Sequence, residues 1–390
     1  MKDWLLILVL SSIILFPTQP TFSLSPTLIP PATSYALVGG QNGIWFQAGQ
    51  APKLYQFFLA NDSVRQLTPI PGDGAVWTGG WNGSQWLISG WGNYPGPKGS
   101  DPYLYMYDGQ RQIAFDSLKQ YDSESSWHGG DIFSVSYNGK QWLLTGMGSG
   151  TLQSSMNHPI NHLALATFDG NVFKDLSGII PEQQEGILYA SSWNGKYWLV
   201  GGGYESTGLL FTYDGATISD ITSKIKHAVP SFSSVLSIGW NGNYWLIGGV
   251  GFLARYDGDT FLDLTPELAQ ILPSHPADSV NAIAWDGQSW IIGGGTPVAQ
   301  LTPSHAWFAT YTSPGFVDLS SALPSYVSNG SQSSSILTIT SMNGVWVMGG
   351  YSGNQGILLA YNDGFVTDYS SLVTGLTYVN WISSLQDLTF

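Results

Sequence analysis

The chain contains no cysteine. This excludes disulfides, thiolate metal sites, cysteine nucleophiles and lipid attachment through cysteine. Charge is also scarce: Asp, Glu, Lys and Arg make up 10% of 390 residues, against about a quarter in an average domain. Basic groups are the scarcest, with 12 Lys and Arg against 26 Asp and Glu, for a net charge of −14. Phosphate backbones repel such a chain, so nucleic acid is excluded as a partner. After Phe16 no run is apolar enough to cross a membrane. The sequence also lacks a nucleophile elbow, a phosphate loop and a zincin helix.

What is abundant points to one architecture. Apolar residues reach 43%, enough for a sizeable core, while 48 glycines and 14% aromatics favour many short strands joined by tight turns. The N-terminus stands apart. One lysine, an apolar run from Trp4 to Phe16, two prolines and Thr21-Phe22-Ser23 read as a secretory signal peptide over 1–23, cleaved near Ser23. An uncleaved N-terminal anchor is the alternative, and through it the only membrane contact. A linker over 24–33 and a domain over 34–390 follow.

That domain repeats a phrase. WNGKYWLVGG (193–202), WNGNYWLIGG (240–249) and WDGQSWIIGG (285–294) are near copies. Aligning on Asn/Asp-Gly followed by Trp gives anchors at Trp45, Trp86, Trp142, Trp198, Trp245, Trp290 and Trp346, a period of the repeat-array kind. Each unit has a second half, such as FLARYDGDTFLDLT (252–265). The unit therefore reads strand, Asn-Gly, strand ending in Gly-Gly, variable loop, strand, Asp-Gly, strand, Asp-Leu-Ser/Thr.

Asn-Gly between apolar runs predicts a two-residue type I′ hairpin turn, in which both residues need φ > 0. Around Asn241-Gly242 this pairs Trp240 with Asn243 and Ile238 with Trp245. Trp240, Ile238, Trp245 and Ile247 then share one face, with Tyr244 and Leu246 on the other. Strands apolar on both faces are buried on both. Four strands per unit and seven units predict an all-β fold, a seven-bladed β-propeller of four-stranded antiparallel blades. Residues 375–390 resemble an extra first strand that helps to close the ring. Thr265-Pro266 predicts the N-cap and first residue of a short helix. The recurring Asp of Asp-Leu-Ser/Thr (Asp116, Asp175, Asp220, Asp263, Asp318, Asp368) is expected to accept local backbone N–H bonds.

WLIGG followed by LARYDGDTFLDLT resembles the kelch repeat over roughly 34–373. The resemblance implies a propeller like the central domain of galactose oxidase. The kelch tryptophan is Phe or Ile here (Phe173, Ile218, Phe261), and the Cys–Tyr crosslink of the copper radical oxidases is impossible without cysteine. Sialidase chemistry is equally unsupported: the only arginines, Arg65, Arg111 and Arg255, fall near the strand-three-to-four hairpins. Kelch-like propellers act mostly as binding scaffolds.

In a four-stranded blade the strand-two-to-three and blade-to-blade loops share one face of the disc. That face holds nearly all the length variation, all six histidines and the non-repeating aromatics. Function is expected there, because a rigid scaffold holding variable loops is the usual arrangement. The candidate ligand-binding residues are Trp91, Tyr94, Trp127, His128, His158, His162 and Trp307. His158 and His162 would share a metal only on a helix, which Pro159 opposes, so neither a metal nor a cofactor is assigned, and no catalytic residue. The expectation is an extracellular or cell-surface monomer, a non-catalytic scaffold binding a protein or a glycan. The alternative is a glycan-active hydrolase or lyase using loop-face carboxylates and histidines.

Overall fold

The computed structural model describes residues 35–42, 52–70, 73–93, 100–115, 127, 130–149, 161–181, 185–204, 207–275, 278–295, 304–313 and 315–385. The expected signal peptide and linker lie outside them. Strands dominate, and every sheet is antiparallel. Sheet A joins Tyr378–Ser384, Ala36–Gln41, Lys53–Phe58 and Ser63–Gln66, in that order. Sheet B runs Asp73–Trp81, Trp86–Asn93, Ser100–Tyr107, Gln112–Ala114, and sheet C Asp131–Tyr137, Trp142–Ser149, Asn161–Phe168, Phe173–Asp175. Sheet D is Ile187–Trp193, Trp198–Tyr204, Thr207–Tyr213, Ile218–Asp220, and sheet E is Val235–Trp240, Trp245–Gly249, Phe252–Tyr256, Phe261–Asp263. The remaining eight strands are two such groups joined by one pair, Gly295↔Ser335. They are F (Ser279–Trp285, Trp290–Gly295, Trp307–Thr312, Gly315–Asp318) and G (Ser334–Met342, Val345–Ser352, Gln355–Asn362, Phe365–Asp368).

The core lies between sheets. Leu199 and Leu210 of sheet D pack with Trp245, Ile247 and Phe252 of sheet E, while Leu246 and Leu253 on sheet E's other face pack with Val280 and Trp290 of sheet F. Sheet G closes on sheet A in the same way, Val347 and Leu358 meeting Val38, Phe57 and Val379. The repeat tryptophans Trp86, Trp142, Trp198, Trp245 and Trp290 are buried in these seams. Each touches the aromatic ring across its hairpin, with Trp240–Trp245 centroids 4.3 Å apart. This is an all-β fold of propeller type.

The hairpins correct the expected register. Trp240 pairs with Trp245 and Ile238 with Ile247. Asn241 opens a longer turn: its N–H donates to the Tyr244 carbonyl, and its Oδ1 accepts from Asn243 N (3.0 Å) and Tyr244 N (2.9 Å). Only Gly242 is left-handed, at φ 92°. Asp257 and Asp286 do the same work in their turns. Because the slip is two residues, the expected faces survive. A two-residue turn with both residues at φ > 0 forms at Asn343-Gly344 (φ 54° and 79°), where one residue rather than two separates Gly from Trp346.

The glycine pair sits inside the second strand and has two different jobs. The first glycine makes room for the next sheet: a Cβ on Gly201 would lie 2.5 Å from Val235 Cγ1, and one on Gly248 2.5 Å from Val280 Cγ1. The second makes room for a carbonyl of its own sheet's first strand; a Cβ on Gly202 would fall on Ile187 O, and one on Gly294 on Ser279 O.

Two further expectations are adjusted. Alignment on Asn42-Gly43 misplaces the first unit. Ala36–Gln41, carrying Gly39-Gly40, is a second strand, so Ala36 rather than Trp45 takes the tryptophan's place, opposite Phe57, while Tyr35 lies 5.4 Å from Trp86 as Tyr197 and Tyr244 lie against the tryptophans of their next sheets. Its first strand is the C-terminal Tyr378–Ser384. Thr265 is the first residue of the helix Thr265–Ile271, not its cap. Its hydroxyl instead accepts from Leu253 N (3.1 Å), and its own N–H donates to Asp263 Oδ1 (2.9 Å). Asp175, Asp220, Asp318 and Asp368 accept from the Ser or Thr two residues on in the same way.

Candidate functional site

The innermost strands surround a cavity of about 650 Å³. Each has one register slip at the same level, after Val76, Ile132, Leu188, Val235, Val280 and Ile336, and beside Val379. The slips are β-bulges, which re-aim one side chain and sharpen the local twist. The re-aimed residues are Trp77, Phe133, Tyr189, Leu236, Asn281, Leu337 and Asn380. The residue before each bulge is always aliphatic and buried, whereas the bulged residue differs from sheet to sheet. Phe133, Tyr189, Leu236, Asn281 and Leu337 line the cavity.

These side chains are ordered by contact. Phe133 lies between Trp77 (centroids 5.7 Å) and Tyr189 (5.4 Å, edge to face). Asn281 Nδ2 donates to Ser335 Oγ (2.8 Å) and Asn380 Nδ2 to the Val76 carbonyl (3.2 Å). Burial pushes the Tyr189 phenol above its ordinary pKa, so it stays a neutral donor.

Toward the Asn-Gly turns the wall carries hydroxyls and indoles. Ser191 Oγ bonds both Ser134 Oγ (3.0 Å) and Ser136 Oγ (2.7 Å), while Trp193, Trp240 and Trp285 add aromatic surface. Asp286 is the one charged residue among the described lining residues, and its Oδ1 is held by Gln288 N and Ser289 N. No Lys, Arg or His is among them.

Asp131 begins the innermost strand of sheet C, two residues before Phe133. It is 4% exposed, and its Oδ1 is buried with no hydrogen-bond partner among the described residues. Desolvation pushes its pKa up to about 7. At the matching position the other sheets carry Tyr378, Ala75, Ile187, Ser234, Ser279 and Ser335. Asp131 is the one acid in this series, where burying an unpaired carboxyl costs free energy.

The residues expected from sequence are scattered. Trp91 lies near the end of its strand, half-buried, opposite Ala75 and Pro102. Trp127 (2% exposed) and Trp307 (1%) are core residues, packed with Phe173 and Val280 respectively, and offer a ligand no surface. His162 pairs with Gly148 and bridges to Glu185, with its Nε2 buried and unpartnered among the described residues. Tyr94, His128 and His158 lie outside the described residues. His275 Nδ1 bonds Asp278 Oδ2 (2.7 Å), which also accepts from Ser304 Oγ; the serine meets the acid rather than the histidine, so this is not a nucleophile–base pair. No group of three His, Asp or Glu among the described residues could hold a metal ion. The bulge residues were missed because the reading aligned turns. Aligning the first strands (VWTGGW, IFSVSY, LYASSW, VLSIGW, VNAIAW) exposes one variable position after a fixed aliphatic one.

No protein-family model matches the chain, and no curated protein matches it in sequence. Among solved structures, the fold is similar to a "putative 6-phosphogluconolactonase" from Bacteroides uniformis (TM-score 0.51, 9% identity, 90% of this chain and 99% of that one). A protein of the same description from Bacteroides fragilis matches at TM-score 0.52 and 9% identity, over 90% and 98%. An acylaminoacyl peptidase matches at TM-score 0.49 and 9% identity; this chain covers 52% of it and so spans about half its length. At this identity the likeness establishes a propeller-like all-β fold, and it does not single out the kelch repeat. It does overturn the expectation of a non-catalytic scaffold working through its loop face: the neighbours that share this fold along nearly their whole length are described as enzymes.

Proposed function

We propose that this chain is an exported seven-bladed β-propeller enzyme that hydrolyses a neutral, polyhydroxylated substrate of the sugar type in its central cavity. The carrying observation is the cavity's chemistry: indole and phenol rings beside clustered serine hydroxyls, with no basic residue among the described lining residues. Aromatic faces suit the C–H faces of a sugar ring and hydroxyls suit its hydroxyls. The phosphorylated sugar in the name of the 6-phosphogluconolactonase-like structures would call for a cation, and the described lining residues include none. Asp286, the one carboxylate among the described lining residues, is the proposed proton-transferring group.

Seven blades are supported by the closed series of sheets A to G. The kelch-like reading is supported by the glycine pair of five second strands. Export and a monomeric state rest on the N-terminal apolar run and the acidic surface.

The test is a pH-stat assay of the full chain on glucono-δ-lactone, 6-phosphoglucono-δ-lactone and neutral aryl glycosides. The expected result is turnover of a neutral substrate, with Asp286→Asn lowering kcat about a hundredfold at little change in KM. A preference for the phosphorylated lactone, or no hydrolysis of any neutral substrate, sinks the reading.

A further inference from the structure

The bulge is the one place in each innermost strand where the repeat prescribes backbone geometry and leaves the side chain free. We infer that the bulge residues Phe133, Tyr189 and Asn281, with Trp77 behind Phe133, form the site that recognises one uncharged sugar ring. This deepens, and rests on, the reading of the cavity as a neutral-substrate site.

Three observations carry it. The glycine after each second-strand position 39, 89, 145, 201, 248, 293 and 349 is kept bare so that the carbonyl two residues before the bulge residue fits, and the register slip recurs in every sheet. The bulged side chains then divide by chemistry. Trp77, Phe133 and Tyr189 form a continuous aromatic arc, and Asn281 lies two sheets beyond Tyr189 with Leu236 between them. Finally, the polar atoms are prepared for a ligand. The Tyr189 hydroxyl makes no hydrogen bond among the described residues. Asn281 uses one N–H on Ser335, which fixes the carboxamide and leaves its oxygen and second N–H available. A stacking face plus a phenol and a carboxamide, without charge, suits a neutral pyranose and disfavours an anion.

The experiment titrates the full chain, by tryptophan fluorescence and calorimetry, with glucose, galactose, xylose, N-acetylglucosamine and glucono-δ-lactone, and with glucose 6-phosphate and glucuronate as charged controls. At least one neutral sugar is expected to bind in preference to the charged ones. Tyr189→Phe and Asn281→Ala should each weaken it about three- to tenfold, and Phe133→Leu about tenfold, with melting temperatures unchanged. Wild-type affinity in these three variants, or no binding by any neutral sugar, overturns the inference. Two further outcomes separate it from the enzymatic reading. If hydrolysis is normal in the bulge variants but lost in Ser191→Ala, the cavity reading stands and the bulge site falls. Binding that depends on the bulge residues without hydrolysis leaves the bulge site standing and removes the enzyme.

Discussion

The two glycines of each second strand differ in what a side chain would strike, and a single methyl group should separate them. In Gly201→Ala the new Cβ would meet Val235 Cγ1 at 2.5 Å and Ile238 Cδ1 at 3.1 Å, both side-chain atoms able to shift. Sheets B and C already tolerate Ser89 and Thr145 at this position, both fully buried. The cost is that of ordinary overpacking, about 1–3 kcal/mol. In Gly202→Ala the new Cβ would fall on the Ile187 carbonyl oxygen, which cannot move unless the bulge between Leu188 and Ala190 is undone. That places the cost at about 4 kcal/mol or more, the range in which single substitutions are exceptional. At about 2 °C per kcal/mol for a large domain, the melting temperatures should fall by about 2–6 °C and about 8 °C or more. Thermal melts followed by tryptophan fluorescence, with urea unfolding as a check, read the difference. Gly201→Ser, which copies sheet B, should behave like Gly201→Ala. If Gly202→Ala melts with or above Gly201→Ala, the account of the second glycine is wrong.

Other consequences follow from named bonds. Asn241→Ala removes the acceptor for two backbone N–H groups and should cost about 1 kcal/mol, as loss of a capping side chain does; Asn241→Asp should be near neutral in a melt, because Asp257 and Asp286 already fill this role. Asp131 holds a proton in the folded state up to about pH 7, whereas in the unfolded chain it loses it near its ordinary 3.8. The native state thus binds more protons between those values, so stability falls as pH rises through that window, by about 4 kcal/mol in all. Asp131→Asn should flatten this slope in melts from pH 4 to 8; parallel profiles for the two proteins would refute the assignment. Inserting one residue between Gly344 and Val345 should convert that turn to the longer form seen at Asn241 with a small loss of stability, readable by urea unfolding.

Much of the fold was legible because it is written in periodic terms. Asn-Gly and Asp-Gly marked the hairpins, the tryptophans marked the seams, and residues 375–390 announced the closing strand. The errors have physical causes. Asn243 and Tyr244 pair with Trp240's strand only if the asparagine side chain stays out of the turn, and it does not. Asn42-Gly43 mimicked an anchor, whereas the tryptophan's position in that unit is held by Ala36. The candidate site was far less legible. Trp127 and Trp307 looked like free loop aromatics but are packed core, since a sequence shows that a residue leaves the repeat and not which way its side chain turns.

The sequence by itself determined the class of fold, the alternation of buried faces and the places where the chain turns, because these depend on neighbours within a few residues. Only the tertiary structure decided which glycine of each pair answers to the next sheet and which to its own. It alone brought Phe133, Tyr189 and Asn281, drawn from three sheets, to one level of one cavity, and left Asp131 Oδ1 buried without a hydrogen-bond partner among the described residues. Those arrangements depend on closure of the ring, which joins residues 36–41 to 378–384; the pattern of residues 375–390 offered the strand but not its partner.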